Sequence, residues 1–130
     1  TDLLPMDGIK ELLDNVSVPV CVASNGEPRH VNGSLKLTGL NRYFGENIFT
    51  ASMVGAPKPA PDLFLYAANK MNFRPKECVV IEDSVPGVTA AVRANIKVYG
   101  LIKLCSEDEL NNAGAIPFTN MSELPDLLEI

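Results

Sequence analysis

The sequence is poor in the features that mark several common protein classes. It has one histidine, His30, and three cysteines in 130 residues. No Cys or His lies at ligand spacing from His30, so a zinc site is not expected. Three is an odd number of thiols, and Cys21 and Cys78 sit within apolar runs (Val-Pro-Val-Cys-Val-Ala and Cys-Val-Val-Ile). Buried free thiols are therefore expected in place of a disulfide framework or a metal pair. No apolar run approaches the ~20 residues a membrane span requires, so no membrane partner is expected. Basic residues are outnumbered, 11 Lys and Arg against 16 Asp and Glu, for a net charge of −5. Without a basic cluster, the electrostatic footprint of a nucleic-acid partner is missing. A negative protein can still carry a local cationic pocket, which leaves small anionic ligands open. Residues 1–20 lack the basic start and apolar stretch of a secretory leader, and the expectation is a cytoplasmic protein.

The remaining composition is that of a globular chain, 46% apolar and 21% charged, with the length of one domain. Short apolar runs alternate with amphipathic stretches. Ile9, Leu12, Leu13 and Val16 recur at helical spacing and predict a helix over roughly residues 7–16. Val18 to Ala23 reads as a strand covered on both faces, ending in the turn-former cluster Ser24-Asn25-Gly26. Residues 28–38 read as a helix, with Pro28 near its start and Gly39 past its end. Ile48 to Thr50 is a short strand, and Pro61 opens a helix with Leu63, Phe64, Tyr66, Ala67 and Met71 on one face. Cys78 to Ile81 is a buried-strand candidate, followed by the acidic pair Glu82-Asp83. An Ala-rich helix then runs from Pro86 to Ala94, with Asn95 at the position of a left-handed cap. Lys97 to Leu101 is another strand. Ser106 and Glu109 have capping-box spacing. Ile116 to Phe118 reads as a last strand and residues 121–130 as a terminal helix. This alternation predicts an α/β fold, a parallel Rossmann-like sheet with helices on both faces.

In open sheets of this kind, ligands bind beyond the carboxyl ends of the strands. Ser24-Asn25 follow the first apolar run and Glu82-Asp83-Ser84 the third. Between them the loop Gly55 to Asp62 holds a single cation, Lys58, between Pro57 and Pro59. Each piece alone is ordinary: a Ser-Asn turn is a turn, an acidic pair caps the next helix, a lone lysine is solvated. Together they have complementary chemistry. The Ser24 hydroxyl and the Asn25 and Gly26 amides suit phosphate oxygens, and Lys58 supplies positive charge. Asp83, with Glu82 beside it, offers hard oxygens for Mg²⁺. Hydroxyl, lysine and acid pair in this order describe a phosphoryl-transfer site.

These residues resemble the haloacid dehalogenase superfamily, in its phosphatase and β-phosphoglucomutase-like branch. The resemblance rests on Lys58-Pro59-Ala60-Pro61-Asp62-Leu63-Phe64 and on Val79-Val80-Ile81-Glu82-Asp83-Ser84-Val85-Pro86-Gly87. The Val-Ala-Ser24-Asn25 stretch and Ala90-Ala91 through Gly100 extend it over most of residues 5–105. It implies that Ser24 and the Asn25 amide hold the transferring phosphoryl group and that Lys58 neutralises it and contacts the nucleophile. Asp83 would be a direct Mg²⁺ ligand, with Glu82 a ligand or a supporting partner. The implied activity is hydrolysis of a small phosphate monoester, such as a sugar phosphate or related metabolite, through an aspartyl-phosphate. Mutase activity remains an alternative.

The family's nucleophile lies in an Asp-x-Asp-Gly motif after an N-terminal strand, and that motif is missing. Asp7-Gly8 is the one Asp-Gly pair, but position 5 is Pro and no apolar strand precedes it, so Asp7 reads as leading into a helix. By the resemblance, residues 1–130 are the C-terminal part of a core domain whose central first strand, nucleophile and cap domain lie upstream. The chain opens on Thr1 and not on Met, in keeping with ~80–100 further residues before it. Standing alone it would be inactive, and would need a homo-oligomer or a strand-donating partner to close its sheet. The competing readings are a catalytically incomplete module that binds phosphate or a protein, and a plain α/β interaction domain.

Overall fold

Each strand in this protein is short, and its partners are reached through helical crossovers. The computed structural model describes residues 8–129. Helix α1 (Ile9–Asn15) precedes β1 (Val22–Ser24), which is followed by α2 (Pro28–Thr38), the single turn α3 (Asn41–Phe44) and β2 (Ile48–Thr50). Helix α4 (Asp62–Lys70) leads on to β3 (Val79–Glu82), α5 (Val85–Arg93), β4 (Lys97–Leu101), α6 (Glu107–Ala113), β5 (Ile116–Phe118) and α7 (Leu124–Leu128). Every pairing is parallel: β1 with β2, and β3 with β4 and then β5. Among the described residues these are two sheets, β1-β2 and β3-β4-β5, with no ladder between them.

Local signals account for the helix ends. Pro28 opens α2, and Gly39, at φ 74°, closes it by donating its N–H to the Leu35 and Lys36 carbonyls. Ser84 caps α5 by accepting the Gly87 N–H at 3.2 Å, so the serine caps this helix and the acidic pair before it does not. Asn95 takes the left-handed conformation at φ 61°. Ser106 and Glu109 form the reciprocal capping box at the start of α6.

The alternation along β4 builds two layers. Val98 packs with Phe64 of α4, Val88 and Ala91 of α5 and Leu110 of α6. Tyr99 and Leu101 face the other way, onto Phe118, Met121 and Leu124, with Ile9 and Leu12 of α1 beside them. In the smaller sheet Val22 and Ile48 meet Val31 and Leu35 of α2. Ala23 and Phe49 meet Leu63 and Ala67 of α4. Ile9 joins the clusters of both sheets on one face, and α4 joins them on the other through Leu63 and Phe64. Two helices, not backbone hydrogen bonds, therefore hold the sheets together, giving helix layers on both faces.

Several elements differ from the sequence reading. The first strand starts at Val22 and not Val18, because pairing begins only where β2 lies alongside. Val22 donates its N–H to the Asn47 carbonyl at 3.0 Å, and Val18 is 49% exposed. β3 runs Val79–Glu82 and is half-buried, with Val79 44% exposed, because only β4 pairs with it. Asn41–Phe44 form the single helical turn α3, which has no counterpart in the sequence reading. The C-terminal helix is a 3₁₀ turn, Met121–Glu123, continued by α7, with Pro125 set in its first turn. The first helix runs Ile9–Asn15, and Asp7 lies outside the described residues. All three cysteines are free, and they are partly rather than fully buried. Among the described residues, no helix is long and apolar enough to cross a membrane.

Candidate active site

Three segments separated in sequence meet at the carboxyl ends of β1 and β3. Ser24 and Asn25 end β1, Lys58 comes from the loop before α4, and Glu82-Asp83-Ser84 lead from β3 into α5. Lys58 ties them together. Its Nζ donates to the Ala23 carbonyl at 2.8 Å and to Glu82 Oε2 at 2.5 Å. The ammonium also lies 5.0 Å from the centre of the Phe64 ring, within cation–π range. The Lys58 and Glu82 side chains are 10% and 11% exposed. A desolvated ammonium is stable only when paired and hydrogen-bonded, and here a carboxylate, a carbonyl and a ring face supply that. Lys58 is thus not the solvated side chain that a lone surface lysine would be.

Glu82 is held in turn. Its Oε1 accepts from the Ser84 hydroxyl at 3.3 Å, so its two oxygens serve Ser84 and Lys58. Helix α5 reaches this carboxylate closely because residue 87 has no side chain. A Cβ at Gly87 would stand 2.1 Å from the Glu82 carboxyl carbon. Asp83, the next residue, is half-buried at the start of the β3–α5 turn.

Ser24 is 4% exposed, and its Oγ accepts the Gly26 N–H at 3.0 Å. The Gly26 amide, which the sequence reading assigned to phosphate, here has the Ser24 hydroxyl oxygen as its partner. The hydroxyl proton of Ser24 is still able to donate. The Asn25 side chain is also engaged, by both ends of one residue: Lys58 donates its N–H to Asn25 Oδ1 at 2.8 Å, and Asn25 Nδ2 donates to the Lys58 carbonyl at 3.3 Å. Arg93 of α5 adds a bond to the Pro59 carbonyl at 3.3 Å. Hydrogen bonds thus join Asn25, Lys58 and Glu82, with Ser24 in the chain between Ala23 and Asn25. Asp83 follows Glu82 and makes no hydrogen bond or ion pair with them among the described residues. Sequence reasoning missed the Asn25–Lys58 clamp, the role of Phe64 and the reason for Gly87. Gly87 had a signal, its place in the Glu82 to Gly87 motif. The clamp had none, because its partners are 33 residues apart.

The donor set tests the Mg²⁺ expectation. Among the described residues, no three His, Cys, Asp or Glu side chains gather into a metal cage. One carboxylate pair with Glu82 already engaged suits a cation that draws on one or two carboxylates plus phosphate and water, which is the habit of Mg²⁺. A cavity of about 410 Å³ lies elsewhere. Val18, Val20, Asn47, Arg42 and Tyr43 line it, at the amino ends of β1 and β2. This puts Arg42 and Tyr43 at the opposite end of the strands from Lys58.

Residues 1–95 match the family model of the haloacid dehalogenase-like hydrolases. The 6-phosphogluconate phosphatase of Escherichia coli K12 is 28% identical over 127 residues, covering 98% of this chain and 58% of that protein. The phosphorylated carbohydrates phosphatase of Thermotoga maritima is 29% identical over 127 residues, covering 94% of this chain and 58% of that protein. A haloacid dehalogenase family hydrolase from Deinococcus radiodurans, crystallised with bound phosphate and sodium, superposes with a TM-score of 0.89 at 34% identity. That match covers 95% of this chain and 59% of the crystallised one. The chain spans less than two thirds of the length of each of these relatives.

Proposed function

The chain belongs to the haloacid dehalogenase-like hydrolase family, and from that premise we propose that it forms the phosphate-binding part of a cytoplasmic Mg²⁺-dependent phosphatase acting on a small phosphate monoester, a sugar phosphate foremost. The observation that carries this reading is the buried Lys58 ammonium, held at the strand ends on the carbonyl of Ala23, the residue before Ser24, and on Glu82. A fixed cation and a fixed donor stabilise the charge that develops on a transferring phosphoryl group, and they need no reorganisation during the reaction. Similarity to the 6-phosphogluconate phosphatase of Escherichia coli and the phosphorylated carbohydrates phosphatase of Thermotoga maritima supports the substrate class.

In this reading the Ser24 hydroxyl and the Asn25 backbone N–H donate to phosphoryl oxygens, and Lys58 neutralises their charge. Asp83, with Glu82 in support, would hold Mg²⁺, which when bound supplies further positive charge against the phosphate. The nucleophilic carboxylate comes from an upstream strand. The unpaired edges of β1 and β3, spanned by α1 and α4, are where that strand would complete one continuous sheet. An Asp on it attacks the phosphorus as the ester P–O bond breaks and the alcohol leaves with a proton; water then hydrolyses the aspartyl-phosphate to free Asp and inorganic phosphate.

The test is phosphate release by the full-length protein from a panel of phosphate monoesters, with and without Mg²⁺. The expected result is turnover that requires Mg²⁺ and is fastest with sugar phosphates. Binding of inorganic phosphate with no turnover of any ester would replace the enzyme by a binding module.

A further inference from the structure

The segment Ala23-Ser24-Asn25 touches Lys58 at both of its ends. The Ala23 carbonyl accepts from the ammonium at 2.8 Å, and the Asn25 side chain holds the Lys58 peptide through Oδ1 at 2.8 Å and Nδ2 at 3.3 Å. Between these two holds stands Ser24. A lysine side chain has four rotatable bonds and carries much rotamer freedom, so pinning only the ammonium would leave its main chain, and the loop Gly55 to Asp62, free to drift. The Asn25 amide prevents this: its carbonyl and amino groups pair with the N–H and C=O of one residue, as a neighbouring strand would.

We propose that Asn25 is a positioning residue whose side chain sets the distance between the Ser24 hydroxyl and the Lys58 ammonium, and that it acts on phosphate through Lys58 rather than by its own amide group. This rests on the phosphatase reading for its consequence in catalysis, but the clamp itself is independent of it. Misplacement of a charge by about an ångström is enough to cost a large factor in rate. The side chain of Asn25 is therefore expected to matter to kcat while touching no substrate atom.

Two measurements on the full-length protein test this. The first is the rate at which acetic anhydride labels Lys58, read by mass spectrometry, which does not depend on any enzymatic activity. Asn25→Ala should raise that rate about tenfold, the scale of one or two lost hydrogen bonds. Asn25→Asp, which keeps the acceptor for the Lys58 N–H and loses the donor, should fall between. The second is a double-mutant cycle on phosphatase kcat. Asn25→Ala should lower kcat in the natural protein and have little further effect when Lys58 is already methionine. Unchanged labelling of Lys58 in both Asn25 variants overturns the clamp. Additive kcat losses in the cycle overturn its action through Lys58. A protein with no phosphatase activity at all removes the functional reading, while the labelling rates still decide the clamp.

Discussion

Lys58 Nζ and Glu82 Oε2 lie 2.5 Å apart with both side chains about nine-tenths buried, and this ion pair joins the loop before α4 to the end of β3. Among the described residues the two sheets share no backbone ladder, and the pair is a polar link between the β1 side and the β3 side of the molecule. Breaking it from one side should cost more than removing it whole. Glu82→Ala leaves the ammonium with only a carbonyl and a ring, and should lower stability by about 3 kcal/mol. Lys58→Met with Glu82→Gln should cost less than Glu82→Ala alone. Urea unfolding midpoints of the three proteins check this, and a double variant less stable than Glu82→Ala defeats it.

Gly87 and Gly33 should respond in opposite directions to alanine. At Gly87 a Cβ would meet the Glu82 carboxylate at 2.1 Å, so the carboxylate must move off Ser84 and Lys58. Overpacking of that kind costs about 1–3 kcal/mol. Gly33 lies inside α2 with nothing within 4 Å of its Cβ position, and an alanine there should stabilise the helix by about 0.5–1 kcal/mol. Thermal unfolding of Gly87→Ala and Gly33→Ala should move the midpoint down and up respectively.

These relationships were unequally legible in the sequence. Elements whose signals are local came out with their true bounds: α2 between Pro28 and Gly39, β4 at Lys97–Leu101, β5 at Ile116–Phe118, the box of Ser106 and Glu109. Elements that depend on a distant neighbour did not. β1 extends only as far as β2 pairs with it, which no pattern in Val18 to Ala23 reveals. The residues of the site were legible because their chemistry and order resemble a known family. Their mutual contacts were not. Lys58 meets Glu82 across 24 residues and Asn25 across 33, and only the folded chain puts an amide, a carboxylate and a ring around one ammonium.

Asp83 is the residue on which dependence on Mg²⁺ should rest. Glu82 has both oxygens committed to Lys58 and Ser84, so the carboxylate available to a cation is the one beside it. Asp83→Asn keeps the size of the side chain and removes its charge. In the full-length protein it should abolish Mg²⁺-dependent phosphate release while leaving the unfolding free energy within about 0.5 kcal/mol of the parent, as for changes outside the core. Undiminished turnover in the variant sinks the assignment of Asp83 to the metal.

Cys21 makes stability sensitive to alkaline pH. Burial, with a smaller contribution from the neighbouring Cys78, pushes its thiol from 9.0 up to about 11. Burial also raises Cys78, so both act with the same sign. Below pH ~9 the thiol is protonated in the folded and the unfolded chain, and its full contribution to stability is present. Between about 9 and 11 the unfolded chain releases the proton and the folded chain keeps it. The unfolded state then binds fewer protons, and stability falls as pH rises. Cys21→Ala removes the Cys21 share of this dependence and leaves that of Cys78. The stability difference between parent and variant should therefore shrink from pH 8 to pH 11 in the parent's disfavour, measured by urea unfolding at fixed ionic strength. The protonated thiol should also react slowly with iodoacetamide at pH 8, since the thiolate is the nucleophile. Parallel stability profiles for the two proteins across that range would show that the folded chain releases the Cys21 proton as readily as the unfolded one.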